Sequence, residues 1–294
     1  MHGQDWLAAR FEERRGHLRA VAYRMLGSLS EAEDAVQEAW LRLSRAGADG
    51  IDNLGGWLTT VVGRVCLDML RSRTQRREAP LDVHVPDPIV GRADSSDPEH
   101  ETLLADSLGL ALLVVLDTLP PPERLAFVLH DMFGMPFEEI AAIVDRSPAA
   151  ARQLASRARR RVQGQAPVPE RDVTRQRAVV DAFLAAARAG DIEALVAVLH
   201  PDVVLRSDHG VASSATIEVR GARNVASRAR LSSQPGLVVR KALVNGAAGL
   251  VTWRPDGQPF AVLGFTIVDG QIVEIDILGD VDRLRRLDLT VLDD

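Results

Sequence analysis

A run of arginine, glutamine and serine side chains on one face of a predicted helix is the clearest chemical signal in this sequence. In segment 148–162, PAAARQLASRARRRV, small and apolar residues at helical spacing define the inner face. The outer face carries Arg152, Gln153, Ser156, Arg157 and Arg160, with Arg159 at its edge. Arginine pairs with guanine and glutamine with adenine in the major groove, while other arginines hold phosphates. Because no acid occurs from residue 146 to 169, the pattern favours contact with duplex DNA over a solvated basic helix.

A helix-turn-helix is predicted to position that face. Apolar residues at i, i+3, i+4 and i+7 from Phe137 predict a first helix. Residues 145–147 then form the turn, in which Ser147 is a good N-cap and Pro148 suits the first helical position. Asp145 stands in the turn, and aspartate tolerates the left-handed conformation that such turns need.

An acidic stripe marks a helix near the N-terminus. Ser30 and Glu33 predict a capping box, so that the helix begins at Glu31. The outer face carries, at i, i+3, i+4 and i+7, the residues Asp34, Gln37, Glu38 and Leu41. A solvated surface explains such a face without any partner. The basic helix that follows favours a partner-binding surface instead.

That basic helix follows the loop GADGIDN (47–53). Its sequence, GGWLTTVVGRVCLDMLRSRTQRR, is amphipathic and carries five arginines, Arg64, Arg71, Arg73, Arg76 and Arg77. One small helical domain is therefore predicted to have an acidic face that suits a protein partner and a basic helix that suits nucleic acid.

The three segments SEAEDAVQEAWLRL, GGWLTTVVGRVCLDMLRSRTQRRE and PFEEIAAIVDRSPAAARQLASRARRRV resemble the extracytoplasmic-function sigma factors of bacterial RNA polymerase. The resemblance covers about the first 165 residues in matching order. It implies a sigma region 2 domain at 5–79, a linker at 80–100 and a sigma region 4 domain at 101–165, both domains being all-α.

The same resemblance implies a role for each motif. Asp34, Gln37, Glu38 and Leu41 would contact the clamp coiled coil of core RNA polymerase, whose flap is a further partner. The minus-ten promoter element would be held by Asp52, Asn53, Trp57, Arg64, Asp68, Arg71 and Arg73, with Asp52 and Asn53 in the loop that accepts a flipped-out base. For Trp57 and Asp68, core packing and a solvated acid remain open alternatives. The outer face of the helix-turn-helix would read the minus-thirty-five element.

The remaining chain, after a short linker at 166–172, is predicted to be α+β. Two helical segments precede the β-rich runs DVVLRSD, TIEVRG, LVVRKALV, LVTWR, FAVLGFTIV and IVEIDIL. Residues 173–294 resemble the cone-shaped SnoaL-like and NTF2-like fold, which leaves a pocket able to hold a small ligand. Arg206 and Asp208 share one strand face and His209 follows, but no second carboxylate or histidine is predicted at a matching position. We therefore expect no enzyme activity and no cofactor.

Sigma factors with such an extension form a subgroup in which the added domain regulates the sigma factor in cis. Its WLPEP-type, DGGG-type and NPDKL-type motifs correspond here to HVPDPIV (84–90), SDHGVA (207–212) and DVDRL (280–284), each of which departs from the pattern. The expected regulatory contacts between linker and extension involve Pro86, Pro88, Asp208, His209, Asp282 and Leu284.

Composition is consistent with a multidomain protein inside the cell. The 294 residues carry a net charge of −6, so the basic faces must be local patches on an acidic body. Cys66 is the only cysteine, which excludes an intrachain disulfide and makes a structural zinc site improbable. The charged start MHGQDWLAARFEERRG predicts no signal peptide and a cytoplasmic protein. Two alternatives to a sigma factor stay open: a one-component ligand-responsive repressor, and a DNA-binding module fused to a SnoaL-like enzyme.

Overall fold

The computed structural model describes residues 2–47, 51–75, 84–92, 109–165, 167, 169–210, 217–232 and 236–292. The chain divides into two compact units, one formed by residues 1–79 and 115–165 and the other by 80–114 and 166–294. Arg76, Arg77 and parts of both predicted linkers lie outside the described residues. Among the described helices, none combines the length and apolar character needed to cross a membrane.

The first unit is all-helical, as predicted. Its elements are α1 (His2–Leu26), α2 (Leu29–Ala46), α3 (Leu54–Gln75), the end of α4 (Leu110–Asp117), α5 (Pro121–Phe127), a π-helical turn (Val128–Met132), α6 (Phe137–Val144) and α7 (Pro148–Gln165). The predicted capping box at Ser30 was wrong. The α2 helix is capped by Ser28, whose Oγ accepts a hydrogen bond from the Glu31 amide at 3.5 Å. Ser28 and Ser30 can each cap a helix in this segment. Capping by Ser28 lets the helix begin at Leu29, which makes it longer than a helix capped by Ser30.

The two predicted helical domains pack together within this unit. Gly63 of α3 faces Leu129 and Ile143, and a Cβ at this position would lie 3.3 Å from the Leu129 side chain. Arg124 of α5 is buried and donates from Nη1 to the Met25 carbonyl at 2.9 Å, while it pairs with Asp117 at 2.9 Å. Burial lowers the pKa of Arg124, and Asp117 opposes that shift. These contacts hold the helices before residue 80 against those after residue 114.

The helix-turn-helix is formed by α6 and α7. Asp145 ends α6 in the left-handed conformation at φ 54°, and Ser147 accepts a hydrogen bond from the Ala150 amide at 3.2 Å. The turn predicted at 145–147 is therefore confirmed. Phe137, predicted in the buried stripe, is only half-buried, because it lies at the start of α6 and stacks on His130.

The second unit is built on one seven-stranded sheet. The strands are β1 (Val90–Arg92), β2 (Leu199–Asp208), β3 (Ile217–Arg220), β4 (Val238–Val244), β5 (Ala247–Trp253), β6 (Pro259–Val268) and β7 (Gln271–Leu278). Their order is β1-β4-β5-β6-β7-β2-β3, with β2 parallel to β7 and all other pairs antiparallel. The helices are α8 (Val173–Ala189), α9 (Ile192–Val198), α10 (Ala222–Ser232) and α11 (Val281–Leu284). The predicted α+β class is confirmed.

The two faces of the sheet differ in chemistry. One face packs against α8, α9 and α10 through an apolar core that includes Phe183, Leu195 and Phe265. The side chains that alternate with this set point to the other face, where charged residues of β2 and β7 lie together. Strand β1 comes from the predicted linker, and it covers part of the β4 edge through pairing of Val90 with Val244.

Candidate functional site: a DNA interface and a clamped linker

The acidic stripe of α2 lies on the surface. Asp34, Gln37 and Leu41 are exposed, and 39% of Leu41 is accessible although it is a large apolar residue. Glu38 is half-buried and pairs with Arg42 one turn further along the helix, at 2.9 Å. The stripe is thus an acidic surface with one apolar side chain at its end.

The loop before α3 is organised by its asparagine. Asn53 Oδ1 accepts a hydrogen bond from the Gly56 amide at 3.0 Å, and the Asn53 carbonyl accepts from the Trp57 amide at 3.0 Å. Asn53 therefore caps α3: its side chain satisfies the Gly56 amide, which has no partner within the helix, and its carbonyl accepts the first hydrogen bond of the helix. Asp52 is exposed beside it and Trp57 is half-buried. The loop geometry leaves the Asp52 carboxylate accessible.

The charged side chains of α3 are engaged to different degrees. Arg64 is exposed and donates to the Ala142 carbonyl of α6 at 3.1 Å. Asp68 and Arg71 are exposed and 3.8 Å apart, whereas Arg73 is half-buried, donates to the Leu26 carbonyl and pairs with Glu31. A groove of about 320 Å³ lies between α2 and α3, lined by Glu31, Arg42, Val65, Asp68, Met69, Ser72 and Arg73.

The outer face of α7 is exposed along most of its length. The exposed residues are Arg152, Gln153, Ser156, Arg157 and Arg160. Arg159 differs, because its Nε donates to Asp131 at 2.5 Å. Fully buried Ala151, Ala155 and Ala158 form the inner face. The structure thus brings five of the six predicted DNA-facing side chains together and holds the sixth in an ion pair.

A half-buried arginine clamps the linker to the sheet of the second unit. Arg283 of α11 donates from Nε to Asp87 at 2.7 Å, from Nη1 to Asp208 at 2.8 Å and from Nη2 to the Val85 carbonyl at 2.6 Å. Asp208 also accepts from the Val85 amide at 3.1 Å. Asp280 fixes the start of α11 by accepting from the Arg283 amide at 3.2 Å. We call Arg283, Asp87 and Asp208 the linker clamp.

A second contact extends the clamp along the chain. Asn245 Oδ1 accepts from the Ile89 amide at 3.0 Å, and the Asn245 amide donates to the Ile89 carbonyl at 2.8 Å. Pro86 and Pro88 are buried between these two anchor points. Together they hold residues 85–89 at both ends before the chain enters β1.

The residues predicted for regulatory contact have different positions. Asp208 is fully buried in the clamp, and Leu284 is fully buried beside Arg283. His209 bonds to Ser207 at 2.8 Å and lies against Gly279, whereas the Asp282 side chain is 81% exposed and pairs with Arg285, the residue that follows α11. Sequence reasoning missed Arg283, although it occupies the basic position of the NPDKL-type motif. It also missed Asp87, although this residue occupies the acidic position of the WLPEP-type motif, and Asn245, which belongs to none of the motifs.

A charge cluster on the same sheet face corrects a second expectation. Arg206 pairs with Asp276 at 3.1 Å and with Glu274 at 3.1 Å, so carboxylates do recur opposite Arg206. Glu218 of β3 lies 3.8 Å away. Glu218 also pairs with Arg220 at 2.8 Å, so Arg206 is the cation that Asp276 and Glu274 share. Burial raises the pKa of Asp276 to about 6, with Arg206 opposing the shift and Glu274 adding to it.

Comparison with known proteins identifies the family. Residues 10–76 match the family model Sigma-70 region 2, and residues 109–162 match Sigma-70, region 4. The chain is 43% identical over 286 residues to the ECF RNA polymerase sigma factor SigJ of Mycobacterium tuberculosis, covering 93% of this chain and 91% of SigJ. This chain belongs to the extracytoplasmic-function (ECF) sigma factors. Its helical unit therefore contains sigma regions 2 and 4.

Other relatives extend the similarity over the C-terminal part of this sigma factor. The probable ECF sigma factor SigI of M. tuberculosis is 34% identical over 288 residues, covering 97% of this chain and 98% of SigI. The crystal structure of SigJ superposes with a TM-score of 0.73 at 34% identity, covering 96% of this chain and 99% of that one. The α+β unit is thus part of the shared architecture.

Loss of the clamp arginine should destabilise the second unit. Arg283→Ala leaves Asp208 and Asp87 buried without their cation, and we expect a loss of about 3 kcal/mol in the free energy of unfolding. Arg285→Ala is the matched control, because its exposed pair with Asp282 should contribute less than about 0.5 kcal/mol. Thermal unfolding of the full chain measures both. Equal effects of the two substitutions would contradict a buried clamp.

Asp276 should make stability fall as the pH rises through about 6. The pKa of Asp276 in the folded chain lies above the ordinary value of about 4. Between about pH 4 and pH 6 the folded chain therefore holds a proton on Asp276 that the unfolded chain has released. The cost of the buried charge is therefore fully present above this range. Asp276→Asn should raise the unfolding midpoint at pH 7.5 and flatten its change down to pH 4.5, while Asp282→Asn should change neither. A lower midpoint for Asp276→Asn at pH 7.5 would contradict this expectation.

Proposed function

We propose that this protein joins core RNA polymerase, directs it to promoters with two recognition elements and helps to melt the DNA, acting in the cytoplasm. The observation that carries this proposal is the pairing of an exposed acidic face on α2 with an exposed basic face on α7, within regions 2 and 4 of an ECF sigma factor. A repressor that binds DNA alone has no use for the acidic face. The relatives named above are transcription factors rather than enzymes.

The polymerase and promoter contacts follow from exposure and charge. The α2 stripe of Asp34, Gln37, Glu38 and Leu41 would bind the clamp coiled coil, and region 4 would reach the flap. Asp52, Asn53 and Trp57 would receive an extruded base of the minus-ten element, because unstacking a base needs a shaped polar pocket. Arg64, Asp68, Arg71 and Arg73 would line the separated strands, and the outer face of α7 would read the minus-thirty-five element.

The packing of region 2 on region 4 supports a closed free state. Arg64 donates one of its N–H groups to the Ala142 carbonyl, and this hydrogen bond would break if regions 2 and 4 separate on promoter binding. The same applies to Arg124 and the Met25 carbonyl if the two regions separate to reach distant promoter elements. A hydrogen bond from a charged group of this kind contributes about 1.5–3 kcal/mol net, since water replaces it. Closure of this kind is readily reversible.

The linker clamp would then regulate opening in cis. Residues 84–92 belong to the only covalent connection between regions 2 and 4, and the clamp fixes them to the C-terminal sheet. A clamped linker limits how far the two regions can spread, whereas a released linker allows full extension. Because regulator and linker belong to one chain, the clamp re-forms at high effective concentration. We therefore propose that release of residues 84–92 favours the polymerase-bound state.

Charge reversal on α2 tests the proposed function. Asp34→Arg combined with Glu38→Arg should weaken association with core RNA polymerase by about tenfold or more, because acidic groups at a complementary interface become repulsive. Run-off transcription from a promoter library should fall in parallel. Glu13→Arg is the matched control, since Glu13 is an exposed acid on α1 that pairs with the nearby Arg10 of the same helix. Unchanged affinity of the double variant, or equal loss in the control, would refute the assignment.

A further inference from the structure

Three side chains of region 4 form a stacked column. The rings of His130 and Phe137 lie 3.8 Å apart and 26° from parallel. The Arg152 guanidinium carbon lies 5.1 Å from the centre of the Phe137 ring. Within the described residues, a ring contact of this kind is found at Arg152 and not at the neighbouring outward arginines Arg157 and Arg160. Arg152 is therefore supported differently from the rest of the DNA-facing set.

The base of the column is fixed by local backbone structure. The π-helical turn Val128–Met132 carries His130, whose Nδ1 donates to the Met135 carbonyl at 3.0 Å. Phe137 is the first residue of α6, so its ring is set by the start of that helix. The same turn also supplies Asp131 to Arg159. A π-turn changes the direction of the side chains that follow, and such turns are frequent at functional sites.

We infer that His130 and Phe137 are positioning residues that hold Arg152 for recognition of a base pair in the upstream promoter element; this rests on the proposed function. An arginine reads guanine through a planar fork whose orientation must be correct. A free arginine side chain loses rotamer freedom on binding, whereas one already stacked on a ring loses less. The column pre-organises Arg152 and leaves its guanidinium at the surface.

The test is sequence selection by the holoenzyme formed from the full chain and core RNA polymerase. The probe is a library of duplex promoter fragments randomised over the upstream element, and the bound pool is sequenced. Arg152→Ala should flatten the preference at particular base pairs. Phe137→Leu, which keeps an apolar side chain without the ring, should reduce the preference at those same base pairs about two- to fivefold. His130→Gln should act at the same place and less strongly.

Two controls make the result specific. Phe137→Leu should have no further effect in the Arg152→Ala background, and it should leave unchanged the base pairs whose preference depends on Arg160, identified with Arg160→Ala. Preferences unchanged by Phe137→Leu, an equal weakening at every base pair, or no flattening by Arg152→Ala would each overturn the inference. If the wild-type holoenzyme does not form or selects no sequence, the proposed function itself fails, which is a separate result.

Discussion

The ion pair of Arg283 with Asp87 and Asp208 is the interaction on which the second unit's hold on the linker depends. Asp208 is completely buried and accepts hydrogen bonds from Arg283, Val85 and Gly210. A carboxylate removed from water in this way is tolerated only with such partners. Val85 belongs to the linker and Arg283 to α11, whereas Asp208 itself lies in β2. The hydrogen bonds that this buried carboxylate needs therefore hold the linker, β2 and α11 together.

In the helical unit, two arginines donate hydrogen bonds to backbone carbonyls at the ends of helices. Arg64 and Arg124 each donate to a carbonyl in the last turn of a helix, at Ala142 and Met25. Such carbonyls have no partner inside their own helix, and a cation near a helix C-terminus is favourable. The contacts between regions 2 and 4 are thus partly polar and exchangeable with water or another partner. In the clamp the guanidinium of Arg283 pairs with two buried carboxylates, those of Asp87 and Asp208.

The features that were predictable from sequence are local ones. The helix-turn-helix followed from periodicity and from Ser147 and Pro148, and the strands followed from β-rich runs between turns. The N-cap of α2 was misplaced by two residues, because Ser28 and Ser30 offer the same chemistry. Sequence also showed the acidic and basic faces, since a helix places residues three and four apart on one side.

Features formed by distant residues could not be predicted in this way. Asp208 and Val85 are 123 positions apart, and Arg283 and Asp87 are 196 apart. The linker looked unstructured because Pro86 and Pro88 cannot donate to a strand ladder, and β1 begins only after them, at Val90. The carboxylates opposite Arg206 were missed because β2 and β7 pair in parallel across 70 residues. No local pattern reveals that pairing.

Hydrogen exchange of residues 84–92, compared between the free chain and its complex with core RNA polymerase, tests linker release most directly. In the free chain the Val85 and Ile89 amides donate to Asp208 and Asn245 and should exchange slowly. If polymerase binding requires the linker to leave the sheet, their exchange should accelerate by about tenfold or more in the complex, since each tenfold step corresponds to only about 1.4 kcal/mol. Equal protection in both states would contradict regulation through this clamp.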